Sequence, residues 1–183
     1  MHSINRLDET ISEILIYSRN SRKGIEPEHF NLRDTIRTIF EDLRFVAPDN
    51  YIFNCEFEGE GTIFHDRYRL NIILKNLISN SVKYCRAEIQ NPGVTVRVIH
   101  KPNDHAGSEL DISVTDNGKG IDTTHQPRVF EMFYRATSES VGTGLGLYIC
   151  AEMVKKLGGS IRLSSSPDVG TIVICSVPPI NPA

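Results

Sequence analysis

The sequence predicts an α+β fold, a two-layer α/β sandwich in which a mixed, mostly antiparallel sheet is covered on one face by helices and preceded by an N-terminal helix. Segments 32–46, 67–85 and 145–157 have the apolar spacing of helices. Other segments resemble strands and follow one another without a helix between them, which favours antiparallel pairing. A chain of 183 residues, 39% hydrophobic and 23% charged, has room for one globular domain and an appended element.

The N-terminal segment 4–23 predicts a helix that belongs to a helical bundle or packs on its own domain. Its apolar residues recur at steps of three and four, with charged residues around them: Ile4, Leu7, Ile11 and Ile14. Gly24 and Pro27 end this helix and predict a linker over residues 24–29. A second domain is therefore expected from residue 30.

The remaining elements follow from periodicity and turn residues. Asn31 is a predicted N-cap for the helix over 32–46. Strands are predicted over 51–58 and 61–65 around a Gly59–Gly61 turn, over 93–100 and 109–115 around a turn at 101–108, and over 159–166 and 170–177. A long irregular stretch from Asn117 to Thr143 separates the two halves of this pattern.

Composition excludes several classes of function. The formal net charge is −3 without a Lys/Arg cluster, so no nucleic-acid partner is expected. No apolar run reaches the roughly 20 residues of a membrane span, and no membrane contact is expected. Four widely spaced cysteines without a C-x-x-C pair disfavour a zinc site and favour reduced thiols in the cytoplasm: Cys55, Cys85, Cys150 and Cys175.

One face of the third predicted helix is polar, although the rest of that helix is apolar. Asn76, Asn80 and Lys83 stand at i, i+4 and i+7. An amide oxygen can ligate Mg²⁺ and an ammonium group can meet phosphate oxygens, so this face predicts a metal–triphosphate site. A solvated helix face is the alternative.

Asp116 lies at the end of a predicted strand and is followed by Gly118 and Gly120. The D-N-G sequence is typical of a tight hairpin turn. A buried carboxylate at a strand end would instead accept from the amino group of adenine and disfavour the oxo group of guanine. Both interpretations stay open from these residues alone.

Glycines at every second position, Gly142, Gly144 and Gly146, precede the last predicted helix. A glycine loop before a helix N-terminus is either a phosphate cradle or a mobile hinge, and the spacing matches neither a P-loop nor a dinucleotide fold. The loop before it is long enough to be a lid. The apolar residues of this loop would either dock it on the domain or belong to the core: Val129, Phe130, Met132 and Phe133. Arg135 would either reach phosphate or face solvent.

Four motifs in order, "NLISNSVKY", "DNGKGI", "VFEMFYR" and "GTGLGL", resemble the ATP-binding domain of sensor histidine kinases, in the Bergerat-fold (GHKL) ATPase group. The resemblance runs from about Phe30 to Val177. It implies ATP and Mg²⁺ as cofactors, Asn80 as the metal ligand, Asp116 on the adenine amino group, and Asn76 and Lys83 as catalytic residues. The nucleotide-binding residues that it implies are Asn80, Lys83, Tyr84, Asp116, Gly118, Gly120, Arg135, Gly142, Thr143, Gly144, Leu145, Gly146 and Thr171.

Position 76 separates two chemistries in this group. The gyrase, chaperone and mismatch-repair branch has a glutamate there that activates water, whereas this chain has Asn76. An amide accepts no proton near neutral pH, so transfer to a separate nucleophile is expected rather than hydrolysis. Ser81 stands where the family usually has alanine, and we expect that change to be tolerated.

The segment "RLDETISEILIYSR" resembles the second helix of the kinase dimerisation domain. The expected organisation is therefore a remnant of that helix over 1–23, a linker over 24–29 and the ATP-binding domain over 30–183. The family's phosphoacceptor pattern, H-E-x-R-T-P, matches none of the six histidines. The chain is thus expected to be a fragment of a larger kinase.

The resemblance implies transfer of the γ-phosphoryl group of Mg-ATP to a histidine of the parent kinase, followed by relay to an aspartate. The expected partners are the phosphoacceptor domain of the parent, a response-regulator receiver domain and, in the parent, a second copy. One alternative is a GHKL ATPase or an anti-sigma-type serine kinase, which lacks dimerisation helices. The other is a degenerate, non-catalytic interaction module.

Overall fold

The computed structural model describes residues 2–101, 109–136 and 142–180, with only the backbone for residues 2–6, 9 and 101. The predicted turn after Lys101 and the tip of the predicted lid, 137–141, lie outside these residues.

Four α-helices, one short 3-10 helix at Gln126–Arg128 and seven strands occur within the described ranges. Their limits agree with the predicted elements to within about two residues, apart from the 3-10 helix and one strand that were not predicted. Asn31 caps the second helix, as predicted, because its side-chain oxygen accepts from the Asp34 N–H at 3.1 Å. The elements are α1 His2–Arg22, β1 Glu28–Asn31, α2 Leu32–Arg44, β2 Ile52–Glu58, β3 Thr62–His65, α3 Arg67–Lys83, β4 Gly93–Lys101, β5 Glu109–Asp116, α4 Gly146–Lys156, β6 Ser160–Ser166 and β7 Gly170–Val177.

The main sheet has the strand order β2-β4-β5-β7-β6. Its β2–β4 pair is parallel and the other three pairs are antiparallel, so the predicted mixed, mostly antiparallel sheet is confirmed. Alternate residues of β4 and β5 are buried, among them Val96 and Ile112, and α2, α3 and α4 pack against the sheet. The α+β sandwich is confirmed.

The predicted pairing of the strands around Gly59–Gly61 is wrong. β3 pairs with β1 in a separate two-stranded sheet, where Phe30 lies opposite Ile63 and both are buried. β2 instead joins β4 in parallel, which is possible because α3 lies between the two strands in sequence and provides the crossover. β1 itself lies partly in the predicted linker, since no sequence pattern reveals a strand of four residues.

A buried arginine ties the end of α1 to the domain. The Arg69 side chain donates to the Asn20 side-chain oxygen at 2.8 Å and to the carbonyl oxygens of Lys23 at 2.7 Å and Gly24 at 3.0 Å. It also forms an ion pair with Asp66, which caps α3 by accepting from the Arg69 N–H at 2.9 Å. The first residues after α1 are therefore held by a buried charge network.

The described side chains of the apolar seam of α1, those of Leu7, Ile11 and Ile14, are exposed and do not pack on the core. Two other residues of α1, Ile16 and Tyr17, pack on the core. Four neighbouring apolar side chains are 43–61% exposed: Leu7, Ile11, Ile14 and Leu15. In the described ranges no helix is both long and apolar enough to cross a bilayer. The four cysteines are free.

Candidate functional site

A cavity of about 620 Å³ opens between α3, the ends of β5 and β7, the segment after β5, and the start of α4. This volume suits a nucleotide-sized ligand. The cavity brings together most of the predicted site residues: Asn76, Asn80, Lys83, Tyr84, Asp116, Gly120, Arg135, Gly142, Thr143, Gly144, Gly146 and Thr171.

Two predicted site residues do not line this cavity. Gly118 lies behind Asp116, where an added Cβ would stand 2.6 Å from the Tyr84 carbonyl oxygen, so its role is to let the backbone pass. The Leu145 side chain is buried in the core, and its backbone N–H donates to the Thr143 hydroxyl at 3.1 Å. Leu145 therefore positions the glycine loop through packing and its backbone.

The Asp116 carboxylate is fixed by donors on both oxygens. Its Oδ1 accepts from the Gly118 N–H at 2.9 Å and from the Thr171 N–H at 3.2 Å. Its Oδ2 accepts from the Ser81 hydroxyl at 3.2 Å. Burial raises the pKa of Asp116 above its ordinary value, and the three hydrogen bonds partly offset that rise. Oδ2 keeps acceptor capacity toward the cavity, because a carboxylate oxygen accepts more than one hydrogen bond.

Apolar side chains line the same cavity as this carboxylate: Leu77, Val114, Leu163 and Val173. A flat aromatic base would pack between such walls and present its polar edge to Asp116. The cavity therefore combines an apolar slot, lined by these four side chains, with the Asp116 carboxylate.

The hairpin interpretation of D-N-G is wrong. The Asn117 side chain accepts from the Gly93 N–H at 2.9 Å and donates to the Asn91 carbonyl at 2.7 Å. The Lys119 N–H then donates to the Tyr84 carbonyl at 3.0 Å, so the chain crosses to the end of α3 instead of turning back. Asp116 thereby lies beside α3.

The polar face of α3 forms one wall of the cavity, where Asn76 and Asn80 are half-buried and Lys83 is exposed. Asn76 donates from Nδ2 to the Ile72 carbonyl at 3.0 Å, and its Oδ1 would stand 3.0 Å from a Cβ added at Gly146. The Asn80 side chain has no hydrogen-bond partner among the residues that the structure describes, so its amide is available to a ligand. The Lys83 ammonium lies against Gly142 and 5.1 Å from the centre of the Tyr84 ring.

The glycine loop leads into α4 with left-handed backbone angles. Gly142 has φ +115° and Gly144 has φ +80°, which residues with a Cβ rarely adopt. A Cβ at Gly144 would stand 2.8 Å from the Tyr134 carbonyl oxygen, so this loop packs closely on the preceding segment. The first turn of α4 carries unpaired N–H groups toward this end of the cavity.

The segment before the glycine loop is anchored at its start. The Gln126 amide donates to the carbonyls of Ile121 at 2.9 Å and Ser165 at 2.8 Å. Val129 is buried, whereas Met132 and Phe133 are 42% and 53% exposed. The predicted apolar contact therefore rests on Val129 and the half-buried Phe130, and the two exposed residues take no part in the core.

Sequence reasoning missed several polar residues of the cavity, among them Glu13 and His125. Glu13 reaches it from α1, and His125 lines it while forming a 2.7 Å hydrogen bond to the Tyr134 hydroxyl. Neither residue lies in a recognisable motif. Glu13 contacts Thr143, which lies 130 residues away in the sequence, so no local pattern predicts this contact.

Comparisons with known proteins show which family the chain belongs to. Residues 65–181 match the family of histidine kinase-, DNA gyrase B- and HSP90-like ATPases. The chain is 30% identical over 189 residues to the autoinducer 2 sensor kinase/phosphatase LuxQ of Vibrio harveyi, covering 97% of this chain and 21% of LuxQ. It is 26% identical over 178 residues to the signal transduction histidine-protein kinase BarA of Escherichia coli K12, covering 92% and 19%.

The fold has solved counterparts. The mycobacterial sensor histidine kinase MprB superposes with a TM-score of 0.65 at 25% identity, covering 85% of this chain and 100% of the MprB chain. This chain spans about a fifth of the length of its curated relatives. The match over residues 65–181 includes all the motif residues that meet in the cavity. The chain belongs to the histidine kinase-, DNA gyrase B- and HSP90-like ATPase family, whose ATP-binding fold it adopts.

Proposed function

We propose that this chain is the ATP-binding catalytic portion of a sensor histidine kinase. It binds Mg-ATP and transfers the γ-phosphoryl group to a histidine of the parent kinase, from which a response-regulator aspartate receives it. Both curated relatives described above carry the name of a sensor or signal-transduction kinase. The observation that carries the proposal is the meeting of the half-buried Asp116 and the polar face of α3 in one cavity.

Asp116 reads the base in this proposal. Its Oδ1 is occupied by two backbone donors, and Oδ2 accepts from the adenine amino group beside the Ser81 hydroxyl. Guanine presents an oxo group at the same position, which the carboxylate repels. The apolar walls hold the ring, and Thr171 lies at the edge of the slot.

The phosphates lie at the other end, toward Lys83 and the glycine loop. The Lys83 ammonium supplies positive charge there, and the start of α4 adds N–H donors. Asn80 fits a Mg²⁺ ligand because it offers an amide oxygen that no described residue uses. Bound Mg²⁺ would neutralise phosphate charge. No cluster of three His, Cys, Asp or Glu side chains suited to a metal occurs in the described ranges.

Asn76 favours transfer over hydrolysis. Its amide donates to the Ile72 carbonyl and presents Oδ1 beside the start of α4. It therefore orients polar groups near the phosphates but cannot take a proton from water. We assign Asn76 and Lys83 as the catalytic residues and an external histidine as the nucleophile.

Three of the described histidines make contacts within this chain, and one of them, His125, does so at the cavity itself. His65 is 2% exposed and its Nδ1 accepts from the Asp66 N–H at 2.9 Å. His29 stacks on Phe64 with ring centres 4.8 Å apart, and His125 bonds to Tyr134. An acceptor on a separate dimerisation domain is therefore part of the proposal.

The experiment is incubation with ATP labelled in the γ-phosphoryl group, with and without a separate dimerisation domain that carries the histidine. We expect acid-labile, base-stable label on that domain and none on this chain, with weak transfer because no tether raises the local concentration. Robust label on this chain alone would overturn the external acceptor. Release of orthophosphate without labelled protein would support the ATPase alternative, and label on serine the anti-sigma alternative.

The metal assignment has its own test. Asn80→Ala should abolish the increase in ATP affinity that Mg²⁺ produces, whereas Asn71→Ala, an exposed residue of the same helix outside the cavity, should not. Unchanged Mg²⁺ dependence in a folded Asn80→Ala variant would refute the assignment. If this chain without any substitution binds no nucleotide, that result would favour the degenerate, non-catalytic interaction module.

A further inference from the structure

Glu13 brings a carboxylate from α1 into the phosphate end of the cavity. The Thr143 hydroxyl donates to Glu13 Oε2. The same hydroxyl oxygen accepts from the Leu145 N–H at 3.1 Å, just before α4 begins. Thr143 therefore links the N-terminal helix to the loop on which the proposed phosphate site depends.

A second contact holds α1 in this position. The rings of Tyr17 and Tyr148 lie 5.5 Å apart between their centres, and their hydroxyl oxygens are 3.4 Å apart. Tyr148 belongs to the first turn of α4. Glu13 thus reaches the cavity from a helix that packs on α4 near the glycine loop.

The charge of Glu13 is opposite to what a phosphate site requires. Lys83 and the start of α4 make this end of the cavity attractive to anions. A carboxylate among them repels a bound triphosphate, and partial burial weakens the screening by salt. The Thr143 proton is also committed to Glu13, so it is not available to a phosphate oxygen.

We propose that Glu13 is a specificity-determining residue of the nucleotide site that lowers the affinity for ATP relative to adenosine while α1 occupies this position. The proposal rests on the proposed function, because it places the phosphates beside Thr143. Binding of ATP and displacement of Glu13 from Thr143 are then coupled in both directions. A movement of α1 that withdraws Glu13 strengthens ATP binding, and bound ATP favours that movement.

The test is a calorimetric titration of the full chain with adenosine, ADP and ATP in the presence of Mg²⁺. The variant Glu13→Gln removes the charge and keeps an oxygen that accepts from Thr143. Glu41→Gln, an exposed residue of α2 outside the cavity, is the matched control for the loss of one negative charge. Circular dichroism verifies that each variant is folded, and Glu13→Ala serves as a second variant.

We expect Glu13→Gln to tighten ATP binding about three- to tenfold, ADP binding less, and adenosine binding not at all. The gain should shrink at high salt, and Glu41→Gln should show none of it. If Glu13→Gln binds ATP no more tightly than the unsubstituted chain, or if its adenosine affinity changes as much as its ATP affinity, the role of Glu13 is overturned. ATP binding by the unsubstituted chain would then still stand. If neither the parent chain nor the Gln variant binds nucleotide, the proposed function itself fails and this inference with it.

Discussion

The substitution Asp116→Asn changes the group that we propose to read the base, without changing its shape. Asp116 Oδ1 receives the N–H groups of Gly118 and Thr171, so the oxygen of an asparagine amide takes that position. The NH₂ group then takes the position of Oδ2, which lies 3.2 Å from the Ser81 hydroxyl. That hydroxyl can reverse and accept, whereas the amino group of adenine cannot.

The expected loss follows from one hydrogen bond. A hydrogen bond to a charged group contributes about 1.5–3 kcal/mol, which corresponds to about a 10- to 150-fold increase in Kd for ATP. The NH₂ group would meanwhile donate to the oxo group of guanine. The preference for ATP over GTP should therefore fall by more than the ATP affinity alone.

The assay is calorimetric titration with ATP and GTP of the parent chain, Asp116→Asn and Asp122→Asn. Asp122 also lines the cavity, but its Oδ1 accepts from Thr124, so its substitution removes the same charge without touching the slot. Only Asp116→Asn should change the ratio of the two affinities. An unchanged ratio in folded Asp116→Asn would refute base reading by this carboxylate.

Three further predictions concern stability and the glycine loop. Arg69→Met should lower the free energy of unfolding by about 3–5 kcal/mol in chemical denaturation, since it leaves a buried carboxylate unpaired; a loss below about 1 kcal/mol would contradict the network. Burial lowers the pKa of His65 below 6.5, so its contribution to stability is full above that pH and lost as the pH falls toward the lowered pKa; His65→Gln should flatten this dependence in denaturation curves, and an equally steep curve would contradict it. Gly142→Ala should weaken ATP binding more than adenosine binding in titrations because its Cβ would displace Lys83, while Gly24→Ala, with nothing within 4 Å, should change neither.

Local features of the site could be predicted from the sequence. Asn76, Asn80 and Lys83 share a face because a helix places i, i+4 and i+7 together, and the apolar residues around them fix which face turns inward. Asn31 caps α2 for an equally local reason. The sequence pattern predicts a residue's position correctly where that position depends only on the helix or strand to which the residue belongs.

Contacts between distant segments could not be predicted. β1 forms because β3 lies beside it and pairs with it. Its four residues are too few for a periodic pattern that would predict a strand. The position of Glu13 depends on how α1 packs on α4, and the core position of Leu145 depends on how the glycine loop enters that helix. These features follow from tertiary packing, which overrides local preference.

The central claim is that the cavity binds Mg-ATP through its adenine and phosphate ends. Calorimetric titration of the chain with ATP and with GTP, each with and without Mg²⁺, tests it most directly. We expect ATP to bind, Mg²⁺ to strengthen its binding, and GTP to bind far more weakly. Equal affinity for ATP and GTP, or no binding of ATP with Mg²⁺ present, would contradict it.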